Sequence, residues 1–280
     1  MLSFARLARI ARPCPAPSKP FSANFFSTAT PKRPIPSNYF KQHPSTLVSG
    51  IRQARLKSGS FGHYRRYAAN QFLLKGLIGV NVAVFGYQEY SKLQAQQGYM
   101  DGFRNYLQNW TLNLRDVENG YWWQMVTCIF SHGDIIHLGF NMFGFWGLGG
   151  WLTALPVTPG QFTLVVLGSG LAGSLFWLAQ QQLKRQEGIH RPQARALGFS
   201  GALMGTVTAV ACFVPREKVA LLGVINMPLW MLVIAYGLYD GYFVNKGESR
   251  VAHGGHLGGM AFGLVYYFLR LRKLRYPGSI

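Results

Sequence analysis

Six apolar stretches, at residues 72–87, 125–151, 161–180, 196–214, 219–239 and 251–271, constrain this chain more than any other feature of its sequence. A helix needs about twenty mostly apolar residues to cross a hydrocarbon layer about 30 Å thick, so each stretch is close to a crossing length. Lys75 lies near enough to one end of the first stretch for its amine to reach the interface, and the fourth stretch is short and ends before Pro215. With only 13% of residues charged and 15% aromatic, the pattern predicts an all-α polytopic membrane protein. The expected architecture is a six-transmembrane-helix bundle occupying residues 71–280.

The formal net charge of +19 raises nucleic acid as a partner, but the distribution of that charge argues against it. Twelve Lys or Arg residues and no acid fall between Met1 and Asn70, and the first carboxylate is Glu89. No basic groove with interleaved aromatics follows. In the opening residues Leu2, Phe4, Leu7 and Ile10 alternate with Arg6, Arg9 and Arg12 before Pro13, and a Ser-, Ala- and Phe-rich run continues without an acid. That composition predicts a mitochondrial transit peptide at residues 1–35, since a membrane potential negative on the inside draws a cationic helix inward. Residues 36–70, still rich in Pro, Ser, Lys and Arg, read as a basic flexible linker, and 39–60 is too polar for an additional crossing helix.

An even number of crossings puts both termini on one side. The basic N-terminal arm and the C-terminal run from Arg270 to Arg275 favour the matrix side of a mitochondrial inner membrane. The stretch 88–122 then faces the intermembrane space with a net charge of −1. With Tyr106, Trp110 and Trp122 it suits a segment lying partly in the interface, or an ordinary amphipathic loop. Cys14, Cys128 and Cys212 are far apart and without CxxC spacing, which predicts neither a disulfide framework nor a zinc knuckle.

Polar groups inside crossing helices are costly and usually face the bundle interior, where they find partners or do chemistry. The second stretch holds His132, His137 and Asn141, and the four-residue step from His137 to Asn141 places those two on one helix face. The fourth opens with Gly198, Ser200 and Gly201, and Gly205 lies one turn beyond Gly201. In the sixth, His256 shares a face with Gly259 and Gly263.

Helices pack with axes about 8–10 Å apart, too far for a short Ser and a His ring to meet unless small residues line the contact. The two glycine-lined helices supply that closer approach. A serine hydroxyl needs a base within about 3 Å to act as a nucleophile, so Ser200 with His256 is a candidate pair. His137 and Asn141, with the backbone N–H of Ser200, are candidate donors to a developing oxyanion. Asp134 at the start of the second stretch and Asp240 at the end of the fifth are not expected to orient the base, which leaves a Ser–His dyad. Each residue also has a plainer reading: Ser200 bonding its own helix backbone, Gly201 with Gly205 as a packing seam, and His137 with Asn141 as an interhelical hydrogen bond. Four histidines, His132, His137, His253 and His256, invite a metal, but no Cys or carboxylate accompanies them in sequence, and none is expected.

Taken together, His132, His137 and Asn141 in HxxxxHxxxN order, Gly198, Ser200 and Gly201 in GxSG, and His256, Gly259 and Gly263 in HxxGxxxG resemble the rhomboid family of intramembrane serine proteases. The resemblance covers roughly residues 72–271, and the leader points to the family's mitochondrial, presenilin-associated rhomboid-like members. It implies a six-helix fold around a water-filled cavity and hydrolysis of peptide bonds in or near the transmembrane segments of membrane-protein substrates, without a cofactor. By position it implies Ser200 as nucleophile, His256 as general base, His137 and Asn141 lining the oxyanion hole, and His132 as a supporting residue. His253 is the alternative base, but three and seven residues after it stand His256 and Met260 rather than glycines. Trp123 and Gln124 fall where many members carry Trp-Arg, so the resemblance implies no role for that pair in holding the long loop. The rival to a protease is an inactive rhomboid-like protein that binds transmembrane segments. A histidine proton relay in a transporter and a structural scaffold are further alternatives.

Overall fold

The computed structural model describes residues 61–189, 191–221, 225–244, 246 and 251–274. The expected transit peptide and most of the expected linker therefore lie outside the described residues. The first helix among the described residues, α1 (Phe61–Gln96), starts within what was expected to be linker, so residues 61–70 are helical. No Pro or αL residue interrupts the run until Gly98, whose φ of 98° ends the helix while the Tyr99 N–H turns back to the Gln94 carbonyl at 3.0 Å. At 36 residues α1 is about 54 Å long, well beyond the hydrocarbon thickness.

The stretch between the first two crossings is ordered as α2 (Asp101–Trp110) and α3 (Leu114–Glu118). Both are anchored inward by Tyr106, Leu112 and Leu114, which are buried. The Tyr106 hydroxyl hydrogen-bonds Gln88 of α1, and burial pushes its phenol up to about 12.

The second expected crossing is not one helix. After α4 (Gln124–Thr127) and a 3₁₀ turn (Cys128–Phe130), the backbone is extended at Ser131, and α5 (Ile135–Gly144) begins beyond Asp134. The cause is an N-cap: the Asp134 carboxylate accepts the His137 N–H at 2.8 Å. α5 continues through a wider π-helical turn (Phe145–Gly149) into α6 (Gly150–Ala154).

α7 (Pro159–Gln186) starts with a capping box between Thr158 and Gln161 and a proline in its first turn. α8 (Ser200–Phe213) is shorter than the expected 196–214. Ala196 instead pairs with Leu112 through two backbone hydrogen bonds of 2.8 and 2.9 Å, and the helix starts at Ser200 itself.

The fifth stretch departs most from expectation. Its first half is an antiparallel hairpin, β1 (Lys218–Leu221) with β2 (Ile225–Pro228), and α9 (Leu229–Phe243) begins only after Pro228. α10 (His253–Tyr266), with a π-helical extension (Tyr267–Leu271), matches the sixth stretch. Each expected crossing thus contains a helix, while α1 and α7 alone among the described residues are long and apolar enough to cross a membrane by length and composition.

At the centre, α7, α8 and α10 meet along glycines. A Cβ on Gly259 would overlap the Gly201 carbonyl, one on Gly263 the Gly205 carbonyl, and one on Gly173 would stand 2.6 Å from the Gly255 oxygen. The glycines bring these backbones into direct contact. Around them the faces away from the seam carry Phe72, Phe143, Leu238 and Leu269 exposed, as expected of surfaces turned to lipid.

Candidate active site

Ser200 is the first residue of α8, and the chain enters it through Gly198, where φ is +132°, a region that side-chain-bearing residues rarely adopt. The Gly198 N–H is held by the Cys128 carbonyl at 3.0 Å. A Cβ at Gly198 would lie 3.0 Å from the His137 ring and 3.6 Å from Ser200 Oγ, so glycine keeps the space between those two groups open. Ser200 also sits where the first N–H groups of a helix lack intrahelical partners and carry partial positive charge.

The glycine seam sets the distance across to α10. His256 Nε2 lies 2.8 Å from Ser200 Oγ, within hydrogen-bond range, so the pair expected from sequence is brought together.

The expected dyad has a third member. Asp240 on α9 is buried, at 1% exposure, and both its carboxylate oxygens lie 3.1 Å from His256 Nδ1. A carboxylate only accepts, so His256 carries its proton on Nδ1, and Nε2 is left as an acceptor for the Ser200 O–H. Asp240 Oδ1 accepts a second bond, 2.6 Å long, from Nδ1 of the buried His253. That turns His253 toward the carboxylate, and it is His256 whose ring reaches Ser200.

The expectation that no acid orients the base is therefore corrected. It failed because the hairpin takes up the first part of the fifth stretch and shifts the helix toward the C-terminus, which carries Asp240 inside α9 rather than beyond its end. Two signals pointed to it: Pro228 as a helix start, and a lone carboxylate in an apolar run.

His137 and Asn141 line the same cavity of about 920 Å³ as Ser200 and His256, together with Trp177 and His253. The Gly133 N–H donates to His137 Nδ1 at 3.3 Å, which leaves the ring proton on Nε2, the nitrogen nearest Gly198. Asn141 Nδ2 donates one hydrogen to the His137 carbonyl at 2.9 Å. His132 lies in the extended break before α5, fully buried, with its ring edge-on to His137 at a centroid distance of 5.1 Å.

A second, smaller chamber of about 30 Å³ opens beside Ser200 against Cys128, Gly170, Ser174 and Trp177. Cys128 and Ser174 are in contact there, at 3.4 Å.

The pair for which no role was expected does hold the long loop. Gln124 is fully buried, accepts the Asn113 N–H at 3.0 Å, and donates to the Gln108 carbonyl at 2.5 Å and to Asp116 at 3.2 Å. Trp123 Nε1–H donates to Asn109 at 3.1 Å. A neutral amide that both donates and accepts does this positioning without a buried charge. Arg195, just before Ser200, completes the tie to the loop through Asp116 at 2.8 Å.

Residues 119–273, more than half of the chain, match the Rhomboid domain. The chain is 28% identical over 233 residues to "Rhomboid protein 1, mitochondrial" of Saccharomyces cerevisiae, covering 82% of this chain and 55% of that protein. It is 28% identical over 224 residues to "RHOMBOID-like protein 12, mitochondrial" of Arabidopsis thaliana, covering 76% and 62%. Over 152 residues it is 28% identical to "Rhomboid protease GlpG" of Serratia proteamaculans, covering 52% and 47%. The chain spans just over half to about three fifths of the two mitochondrial relatives' own length.

Proposed function

The chain belongs to the rhomboid family, and from that premise we propose that it is a serine endopeptidase of the membrane, cleaving peptide bonds in or near the transmembrane segments of other proteins. The observation that carries this reading is the 2.8 Å approach of His256 Nε2 to Ser200 Oγ inside a cavity of about 920 Å³. An inactive binding protein has no need of a base at bonding distance from a hydroxyl.

In the proposed reaction His256 takes the Ser200 proton as Oγ adds to the scissile carbonyl carbon. Asp240 holds the imidazole in the required tautomer and stabilises the imidazolium that forms. The carbonyl oxygen, now negative, is met by His137 Nε2–H, the free hydrogen of Asn141 Nδ2 and the backbone N–H at the start of α8. Collapse expels the amine with the proton from His256. The open cavity admits the water that, deprotonated by the same ring, hydrolyses the acyl-enzyme. The chamber of about 30 Å³ beside Ser200 suits a small substrate side chain on the acyl side.

We place the protein as a multi-pass protein of the mitochondrial inner membrane. The acid-free leader and the two mitochondrial relatives support the organelle, and α1, α5–α6, α7, α8, α9 and α10 are the six crossings of the proposed topology.

The test is cleavage of a reporter transmembrane segment by purified protein in lipid, at matched folded levels. Ser200→Ala and His256→Ala are expected to abolish cleavage, and His253→Ala to retain part of it. Cleavage that persists in Ser200→Ala overturns the mechanism.

A further inference from the structure

The four-histidine cluster lacked a carboxylate in sequence, and the fold supplies one. Asp240, His253 and His256 present ligand atoms that all lie within 4.8 Å of one another. Asp240 and His253 are buried, and the His256 side chain is 13% exposed. Both rings line the large cavity, which gives a small solute a route to them. Two imidazoles and one carboxylate form a protein donor set typical of tetrahedral Zn2+ sites in which water is the fourth ligand.

We propose that this triad is a site for a divalent cation of the Zn2+ type, and that its occupation switches off the base; the second half rests on the protease reading above. Metal–ligand bonds of about 2.0–2.2 Å separate tetrahedral ligands by about 3.3 Å. The two carboxylate–imidazole pairs stand 2.6 and 3.1 Å apart and all three ligand atoms lie within 4.8 Å of one another, so each donor moves by less than about 1 Å to take up that spacing.

The consequence follows from the tautomer. A neutral imidazole that gives its Nδ1 lone pair to a metal keeps its single proton on Nε2. His256 Nε2 is the atom facing Ser200 Oγ at 2.8 Å, so in the loaded state it donates to the hydroxyl and accepts nothing from it. No proton is gained or lost; it moves from one ring nitrogen to the other.

The test uses the full chain carrying Ser200→Ala, titrated with Co2+ as a spectroscopic substitute for Zn2+. One equivalent is expected to produce the intense visible band of four-coordinate cobalt, and Zn2+ is expected to bleach it. His253→Gln and, separately, His256→Gln should each weaken Co2+ binding at least about tenfold, as expected for loss of one ligand from a three-residue site. Two ligand variants are used so that misfolding of either leaves the comparison intact. Absence of the band, or a band that survives both substitutions, overturns the site.

Because this measurement needs no turnover, it stands apart from the protease reading. For the switch, Zn2+ is expected to stop reporter cleavage by the wild type and a chelator to restore it. His253→Gln, measured against its own metal-free rate, should raise the Zn2+ concentration for half-inhibition at least about tenfold. Equal sensitivity of the two proteins overturns the switch.

Discussion

The seam joining α7, α8 and α10 and the single helix α9 hold the candidate site by different physics. In the seam the contacts are backbone to backbone: Gly259 lies against the Gly201 carbonyl, Gly263 against the Gly205 carbonyl, and Gly258 against the Ala172 carbonyl. Interiors this close have no slack, and an added methylene forces the helices apart. α9 packs less tightly: a Cβ at Gly237 would meet the tip of Met260 at 3.4 Å, one at Gly241 would meet nothing within 4 Å, and Trp230, Ile234, Leu238 and Tyr242 are exposed. Its link to the site is the pair of hydrogen-bonded histidines on Asp240. The distance between nucleophile and base is thus set by close packing, and the orientation of the base by polar bonds.

The same change made in the two regions should break or sustain that contrast. Gly259→Leu drives a side chain into the Gly201 backbone and is expected to leave no folded protein, as read by size-exclusion elution and helical circular dichroism in detergent. Gly241→Leu, into open space, should leave folding intact and raise helix stability by about 0.5–1 kcal/mol from propensity alone. If both variants fold with equal stability, the seam is not the rigid element.

Next in size is Asp240→Asn. The change retains the volume, removes the charge that sets the His256 tautomer, and is expected to lower the cleavage rate by roughly 10²–10⁴ with little change in the helical spectrum. A loss of folding in step with the loss of rate would make Asp240 a structural polar group instead.

Gln124→Ala strands the Asn113 N–H and the Gln108 carbonyl, and should cost about 1–3 kcal/mol, seen as a lower thermal midpoint and earlier proteolysis between Gln97 and Tyr121. The smallest effect is expected on the outer face of α9. Leu238→Ala removes an exposed side chain and should shift unfolding in lipid by no more than about 0.5 kcal/mol.

The contact of α8 with α10 was legible in the chain because its signal is periodic, whereas the part of the seam that α7 supplies through Ala172 and Gly173 was not read from it. Gly201 and Gly205, and His256 with Gly259 and Gly263, recur at helical spacing, so the face they share can be read without coordinates. The same holds for His137 with Asn141. The breaks were less visible. Apolar content runs on from 125 to 151 and from 219 to 239, and nothing in hydropathy separates an extended turn at Ser131 or the paired strands at 218–221 and 225–228 from helix. The capping carboxylate of Asp134 and the proline at 228 instead mark where α5 and α9 begin, by hydrogen bonding and by a missing N–H, which act locally and leave average hydrophobicity unchanged.

By itself the sequence determined that this is a helical membrane protein, and which imidazoles, amide and glycines share helix faces, since burial in lipid and the 3.6-residue period are properties of the chain alone. Only the tertiary structure decided that Asp240 meets His256 and His253, and that Gln124 ties down the long loop. Those partners are separated by 16, 13 and 11 residues and are joined by the register in which one helix or loop is laid against another. That register depends on where helices begin and how closely their backbones approach, which the order of residues along one segment does not encode.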